Sequence, residues 1–370
     1  MKLTADHTDL AAAVSYAARS LPARPPVPIL AGLLLDAADG RLRVSAYDYE
    51  VSADTTAPAA VTEPGRVLVS GRLLSDIVST VRGTVHLELR SPRLVLKAGS
   101  ARFILPTLPL EEYPARPEPA ATAGTLPGPD LAEAVAQVAS AVSKDDSVPI
   151  LTGIGLHHDR QAATLTLYAT DRYRFAVRTL PWKTAGLADT SAVIPGRALA
   201  DAAKATADDT TVGLTLPTSG SGLFTLRSEH ATTTIRALDG ELPKYGALFP
   251  TEFAHTATVE IAALKAAAQR VALVATKNAP IKLTFTAEST LVLEGGSDDD
   301  AQAVDNVHTS LTGGELTIAF NPAFLLDGLN ALTTPSVQFD LTSPTTPAVL
   351  RGHGSDDQAL RYLLMPIRLS

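Results

Sequence analysis

The chain repeats itself about every third of its length, and this constrains its fold more than any other feature. The string Val27-Pro28-Ile29-Leu30-Ala31-Gly32 returns 121 residues later as Val148-Pro149-Ile150-Leu151-Thr152-Gly153. Ala279-Pro280-Ile281-Lys282-Leu283 is a weaker third copy. A second set runs in phase with the first: Val69-Ser70-Gly71-Arg72-Leu73-Leu74, then Ile194-Pro195-Gly196-Arg197-Ala198-Leu199, then Ala319-Phe320-Asn321-Pro322-Ala323-Phe324. Gly71, Gly196 and Asn321 are spaced by 125. Proline and glycine punctuate many chains, so one short match means little. Two sets in the same order at nearly the same spacing point to three homologous domains. The 370 residues divide into about 123 apiece, a usual domain size. Linker-like composition at 117–124 and near 249–251 sets the expected domains at 1–122, 123–250 and 251–370.

Each third reads alike. An amphipathic helix is expected first, over 8–19, 129–143 and 261–275, with Asp6 or Thr8 and Asp130 as candidate caps. Strands follow, among them 33–36, 42–47, 86–89, 93–96, 164–169 and 283–286. A second helix starts at Gly71, Gly196 or Asn321. Apolar and polar residues alternate along the strands, which predicts sheets with one buried and one wet face. The fold class is α+β, without the strand–helix–strand rhythm of a doubly wound sheet.

Composition narrows the chemistry. Hydrophobic residues make up 45% and charged residues 19%, so the chain can bury cores. It has no cysteine, which excludes disulfides, a thiol nucleophile and Cys-ligated metal sites. No GxxxxGK[ST], HExxH or GxSxG string occurs. His157-His158 is the one adjacent histidine pair; strand neighbours face opposite ways, so the two read as surface histidines and not as a metal clamp. Asp298-Asp299-Asp300 lacks calcium-loop spacing and reads as a solvated loop. Thr170-Asp171-Arg172, with Arg174 close by, reads as a charged turn before an acid–base site. No metal or cofactor is expected. The start of the chain lacks a signal-peptide layout, and no apolar run reaches the roughly 18–20 residues that span a bilayer, so a cytoplasmic protein with no membrane partner is expected. The net charge of −8 disfavours whole-surface binding to nucleic acid, while leaving room for a local basic stripe.

The last residues, Arg361-Tyr362-Leu363-Leu364-Met365-Pro366-Ile367-Arg368-Leu369-Ser370, are apolar where chain ends are usually polar and frayed. Pro366 cannot donate to a ladder, so the strand should stop there. The residues beyond it need a core or a groove to cover them. This ending resembles the terminal motif of the bacterial sliding clamp, the β subunit of DNA polymerase III. So do Ala169-Thr170-Asp171-Arg172-Tyr173-Arg174-Phe175-Ala176-Val177, Pro149-Ile150-Leu151-Thr152-Gly153 and Phe103-Ile104-Leu105-Pro106-Thr107-Leu108-Pro109. The likeness runs from end to end and includes the threefold repeat.

The resemblance implies three clamp-type domains, each with two helices packed inside antiparallel sheets, and a head-to-tail homodimer that closes as a ring around duplex DNA. It implies a non-catalytic processivity factor, opened by a separate ATP-driven loader. Cations on the helices and adjoining loops would face DNA: Arg24, Arg72, Lys144, Arg197 and Lys204 foremost, then Arg19, Arg82, Lys265, Arg270 and Lys277, diluted by Asp76, Glu133 and Asp201. Short peptides of the replicative polymerase, clamp loader and repair proteins would occupy a groove. Carried over one position at a time, it comprises Leu151, Thr170, Arg172, Tyr173, Arg174, Phe175, Pro243, Ala247, Leu248, Leu363, Met365, Pro366, Ile367, Arg368 and Leu369, with Arg174 and Arg368 at its rim. Phe103 and Leu105 would meet Leu273 across the dimer seam. The sequence departs from the family pattern at three places. A small residue, often glycine, is usual at Arg172, histidine at Tyr173 and arginine at Ala247. An altered ligand preference, and a specialised inhibitor-tolerant copy, follow as expectations. An enzyme that uses Arg172, Arg174 and Asp171, and a monomeric peptide adaptor, remain the rival readings.

Overall fold

The computed structural model describes residues 1–217, 222–274, 279–296, 301–356 and 359–368, with Ala247 by its backbone alone. Lys277, Asp298, Asp299, Asp300 and Leu369 lie outside the described residues. The chain forms two compact units. The first contains Met1–Pro129, Lys183–Thr190 and Ala198–Ala237; the second contains Asp130–Trp182, Ser191–Arg197 and Leu238–Ser370. The middle third of the sequence is thus shared between them.

Among the described residues there are six α-helices: α1 (His7–Ala18), α2 (Gly71–Thr80), α3 (Gly128–Ala139), α4 (Gly196–Ala205), α5 (Ile261–Ala272) and α6 (Pro322–Ala331). None is long and apolar enough to cross a membrane. Asp6 caps α1: its Oδ1 accepts from Thr8 N at 2.8 Å, which holds its carboxyl below the usual carboxylate range. Asp130 is no cap but lies within the first turn of α3, where its charge suits the helix dipole. The repeat-related second helices start one residue apart. Gly71 and Gly196 are the first residues of α2 and α4, whereas Asn321 is the cap of α6 and accepts from Ala323 N at 2.9 Å. Both glycines are required by close approach. A Cβ on Gly71 would lie 2.4 Å from Leu21, and one on Gly196 would lie 2.9 Å from the Thr152 carbonyl.

The first unit is built on a thirteen-stranded antiparallel sheet. In it Ala231–Arg236 pairs with Val51–Pro58 (Ile235 opposite Val51), so a strand from the middle third completes a sheet begun by the first. Leu10, Val14 and Ala17 of α1 and Leu74 and Val78 of α2 bury against Leu33, Leu35, Val44, Val85, Leu87, Leu94 and Leu96. The second unit has a twelve-stranded sheet. Its strand Arg361–Leu364 lies between Arg174–Pro181 and Ala348–Gly352.

Strict alternation fails in the strands Gly32–Ala38, Gly153–Asp159 and Thr164–Thr170, which bury nearly every residue. A second apolar layer covers the face expected to be wet. In the first unit Leu108, Leu110 and Tyr113 fold over Ile29, Leu30, Leu34 and Leu68. In the second, Leu242, Tyr245 and Phe249 fold over Leu151, Tyr168, Phe175, Val193 and Leu363. His158 is correspondingly buried, its ring 5.0 Å from that of Trp182, which corrects its reading as a surface residue. His157 points the other way, toward Ser191 Oγ at 2.8 Å.

The proline-rich stretch after Leu108 is held down and is not a loose tether. Tyr113 OH accepts from Tyr47 N at 2.7 Å, Arg116 Nη1 donates to Ser45 Oγ at 2.5 Å and pairs with Asp54, and Ala123 N donates to Leu214 O at 2.8 Å. Asp54 also accepts from Arg43 Nε at 2.9 Å. Burial, with Arg43 close by, brings the Arg116 guanidinium down to about 10.

Candidate functional site

The predicted groove residues fall in the second unit, where four segments meet. The first is the turn that joins Thr164–Thr170 to Arg174–Pro181. Asp171 Oδ1 accepts from Tyr173 N at 3.0 Å and Arg174 N at 3.1 Å, and Thr170 Oγ1 donates to Arg174 O at 2.7 Å. The second is the end of the chain. Leu363 and Leu364 pair with Phe175 and Arg174; Met365 N then donates to Tyr173 O at 2.9 Å and Ile367 N to Ala319 O at 2.8 Å. The strand ends before Pro366, as a missing donor requires, and the tail stays attached. The third is the 3-10 turn Pro149–Thr152, which supplies Leu151. The fourth is the overlying segment from Leu242 to Phe249, with a 3-10 turn at Tyr245–Ala247.

These segments give a buried floor and an exposed lip. Leu151, Thr170, Phe175 and Leu363 are buried. The Phe175 ring lies 6.1 Å edge-on from Phe249 and 6.2 Å from Tyr168, a geometry that adds to plain area burial. Arg172, Tyr173, Pro243, Leu248, Met365 and Arg368 are exposed, and Pro366 and Ile367 are half-buried. Leu248 and Met365 are open apolar groups in a molecule that buries most of its large ones.

Arg174 corrects the expectation of a rim residue. It is 3% exposed. Its Nε donates to Asp171 Oδ2 at 2.8 Å; its Nη1 donates to Asp327 Oδ2 at 2.6 Å and Tyr362 OH at 3.2 Å. The guanidinium lies 4.5 Å from the Phe324 ring centre, and Tyr362 OH donates to Phe324 O at 3.0 Å. Burial alone would depress this arginine; Tyr362, Asp327 and Asp171 outweigh it and hold the group above its ordinary range. Burial raises the Tyr362 phenol, which stays neutral. Arg174 therefore bolts the turn and the final strand to α6. Asp327, Tyr362 and Phe324 were missed in the sequence, where only the oddity of a buried-type strand holding Arg174 hints at a partner. Asp171, with both carboxylate oxygens engaged, is poorly placed as the general base that an enzyme reading needs.

Arg172 sits at φ 80°, in the left-handed region that costs a side chain with a Cβ about 1–2 kcal/mol. That cost is the physical reason a glycine suits this position. Arg172→Gly should raise stability by about 0.5–1 kcal/mol after the larger chain entropy of glycine is set against the strain relieved; a denaturant midpoint that does not rise would contradict this. Tyr173 stacks on Phe324 with ring centres 5.9 Å apart and so carries the lip outward from the Arg174 bolt.

The other predicted residues lie apart from this site. In the first unit Arg24 and Arg72 are exposed and adjacent: Arg72 Nη2 donates to Ala23 O at 2.9 Å, pinning the loop that carries Arg24. Lys204 is also exposed there, as are Lys144 and Arg197 in the second unit. Arg270 is held by Asp305 at 2.7 Å, which weakens its candidacy as a free cation. Leu105, at 1% exposure, belongs to the core of the first unit. The strand Ala101–Leu108 turns Leu105 inward and Ile104 outward, and Phe103 is half-buried against the same core. Among the described residues, 101–106 have a strand partner on one side only, as do 302–308 in the second unit. Leu273 is 85% exposed at the end of α5. Among the described residues no group of three or more His, Cys, Asp or Glu could hold a metal ion.

Comparison with known proteins agrees along the whole chain. Family models described as the N-terminal, central and C-terminal domains of the DNA polymerase III beta subunit match residues 1–117, 125–244 and 246–368. A Streptomyces coelicolor protein named "Beta sliding clamp" is 48% identical, and one from Streptomyces muensis named "Beta sliding clamp homolog GriR" is 40% identical. Each match covers all of this chain and at least 99% of the relative. The fold resembles, at a TM-score of 0.92, 24% identity and complete coverage of both chains, a crystal structure of a DNA polymerase III subunit beta sliding clamp from Pseudomonas aeruginosa bound to griselimycin.

Proposed function

The chain belongs to the bacterial DNA polymerase III β-subunit family, and from that membership we infer that it is a sliding clamp, a non-catalytic subunit that encircles duplex DNA and tethers the replicative polymerase to it. Three successive domain matches over nearly the whole length carry this reading. They suit a division into three domains, with the first boundary between 117 and 125, around the expected 122, and the second near 245, a few residues before the expected 250. Two copies meet head to tail, residues 101–106 of one strand edge pairing with 302–308 of the other copy's. Pairing removes two open edges that would otherwise invite aggregation. Phe103, Ile104 and Leu273 supply the apolar contacts, with Ile104 in place of Leu105. The protein works in the cytoplasm.

A ring holds DNA by topology, so its phosphate contacts need only be weak, and each one adds salt-sensitive affinity that opposes sliding. Exposed Arg24, Arg72, Lys144, Arg197 and Lys204 in a chain of net charge −8 suit that balance. The decisive experiment loads the protein on nicked circular DNA with a clamp loader and ATP, then linearises the DNA. Retention before cutting and loss afterwards is the expected result; retention on the linear product would refute encirclement. Reversing Arg24, Arg72 and Lys204 together should reduce loading without unfolding the protein; unchanged loading would remove them from the DNA surface.

The exposed lip around Met365 takes short peptide segments of the polymerase, the loader and repair proteins. The buried floor gives shape, and the flexible methionine lets the lip repack around different anchors. Met365→Ala should weaken a clamp-binding peptide by about 1–3 kcal/mol with the dimer intact, as read by fluorescence titration and sedimentation; equal affinity would place the peptide elsewhere. Arg172 and Tyr173 alter the exposed lip, and with the sequence departure at Ala247 they suit a specialised copy that tolerates an inhibitor aimed at the ordinary groove. Joint substitution of Arg172→Gly and Ala247→Arg should then tighten griselimycin binding. Equal binding would end that part of the reading.

A further inference from the structure

The turn that frames the groove has a structural copy in the first unit. There Asp48 Oδ1 accepts from Glu50 N at 3.0 Å and Val51 N at 2.8 Å, as Asp171 does from Tyr173 and Arg174. Tyr49 takes φ 77° where Arg172 takes 80°. Arg236 N donates to Glu50 O at 2.8 Å where Met365 N donates to Tyr173 O. The 3-10 turns Pro28–Ala31 and Leu110–Glu112 stand where Pro149–Thr152 and Tyr245–Ala247 stand in the second unit. The frame is the same; its side chains are not.

The first difference is where the bulk sits. Thr170 faces Phe175 across the strand pair in the second unit, whereas Tyr47 faces Ser52 in the first. The aromatic ring has moved to the neighbouring strand, where it meets Tyr49 at 5.6 Å. Tyr49 is 54% exposed and Val27, at the head of the first 3-10 turn, is 52% exposed. A cavity of about 460 Å³ opens beside the Leu110–Glu112 turn, lined by Leu34, Arg66, Leu110, Tyr113 and Arg116 among others. Its arginines are already paired, Arg66 with Asp36 at 3.5 Å and Arg116 with Asp54. The second difference is the sign of the lip. Exposed Arg172, Lys244 and Arg368 flank the second-unit frame, with Asp145 near Arg172 and Glu241 near Tyr168; exposed Glu50, Glu111 and Glu112 flank this one, with Arg236 3.8 Å from Glu50.

We propose that the first-unit frame around Tyr49 is a second docking site, for a short peptide segment that carries lysine or arginine beside an apolar anchor. The two tyrosines offer flat apolar surface and π-faces that attract cations. The glutamates steer basic chains in and repel the acidic ones that a cationic lip favours. The cavity beside Leu110 has room for one anchor and connects to this frame through Tyr113, which lines it and accepts from Tyr47 N. One chain would then engage two partners of opposite charge through two copies of one frame.

The test uses the full-length protein and a short fluorescein-labelled peptide of lysines and arginines around one Leu-Phe pair, read by anisotropy. A second, unlabelled peptide with aspartates around the same pair serves as competitor for the second-unit lip. Saturable binding is expected, unaffected by that competitor or by Met365→Ala. Tyr49→Asn, which keeps a residue at ease in the left-handed region, should weaken it about tenfold, a loss of about 1.4 kcal/mol, with the melting temperature unchanged. Glu50→Lys with Glu111→Lys should weaken the basic peptide and admit the acidic one. The proposal is overturned if binding does not saturate, if Met365→Ala abolishes it, or if Tyr49→Asn leaves it unchanged, since the last would mean diffuse charge attraction alone.

Discussion

Replacing Arg174 by alanine should cost the second unit about 3–5 kcal/mol of unfolding free energy, the range for breaking a buried ion pair by removing one partner. The size follows from what stays behind. Asp171 and Asp327 lose the cation that faces them at 2.8 and 2.6 Å, and the Phe324 ring loses the guanidinium beside it. Asp171 is 11% exposed and Asp327 39%, so the first carries most of the penalty while water relieves the second. Tyr362→Phe is the graded control: it removes one hydroxyl that bonds Arg174 and the Phe324 carbonyl, and should cost about 1 kcal/mol. The chain's single tryptophan, Trp182, is buried in the second unit, so its fluorescence reports the relevant unfolding in denaturant. A loss below about 1 kcal/mol for Arg174→Ala would mean that the cluster behaves as an exposed salt bridge and does not hold the turn to α6. The groove reading makes a linked demand. Tyr173 and Met365 are joined by a backbone hydrogen bond one residue from Arg174, so peptide affinity should fall in Arg174→Ala even where the fold persists.

Local signals were legible in the sequence and long-range pairings were not. The in-phase repeats marked equivalent positions, which fold as 3-10 turns at Pro28 and Pro149, and located the second helices to within one residue at Asn321. Pro366 marked the end of the last strand because a missing N–H is a local property. The turn at Thr170-Asp171-Arg172 was readable as a turn for the same reason. The partner of Arg174 was not: Asp327 is 153 residues away, and nothing in either neighbourhood ties the two together. Alternation misled wherever a second layer lies on the sheet, since periodicity reports a residue's own face and not what later chain folds over it. That is why His158 read as a surface residue. The covering segments, Leu108 to Tyr113 and Leu242 to Phe249, carry no period that marks them as covers; only the family resemblance named Pro243, Ala247 and Leu248 as groove residues.

The same limit separates Leu105 from Ile104, and a pair of substitutions should separate them experimentally. Leu105→Ala is expected to cost the first unit about 2–5 kcal/mol, as for a buried leucine whose cavity closes only in part. Its side chain packs in the core, and the neighbouring strand holds its backbone opposite Leu94. Dimerisation of the folded protein should be unchanged. Ile104→Glu should do the reverse. The side chain points out of the sheet at 48% exposure, so melting changes little. A buried, unpaired carboxylate at the proposed seam should raise the dimer dissociation constant by about two orders of magnitude, some 2.7 kcal/mol. Leu273→Ala, on the opposing surface, should weaken the dimer in the same direction by a smaller amount, because it removes apolar contact without burying a charge. Thermal melts and sedimentation at nanomolar concentration read the two quantities independently. A Leu105→Ala protein that melts normally but dissociates would turn the strand over and return Leu105 to the seam. An Ile104→Glu protein that stays dimeric would take the 101–106 edge out of the assembly, and with it the geometry by which two copies close around DNA.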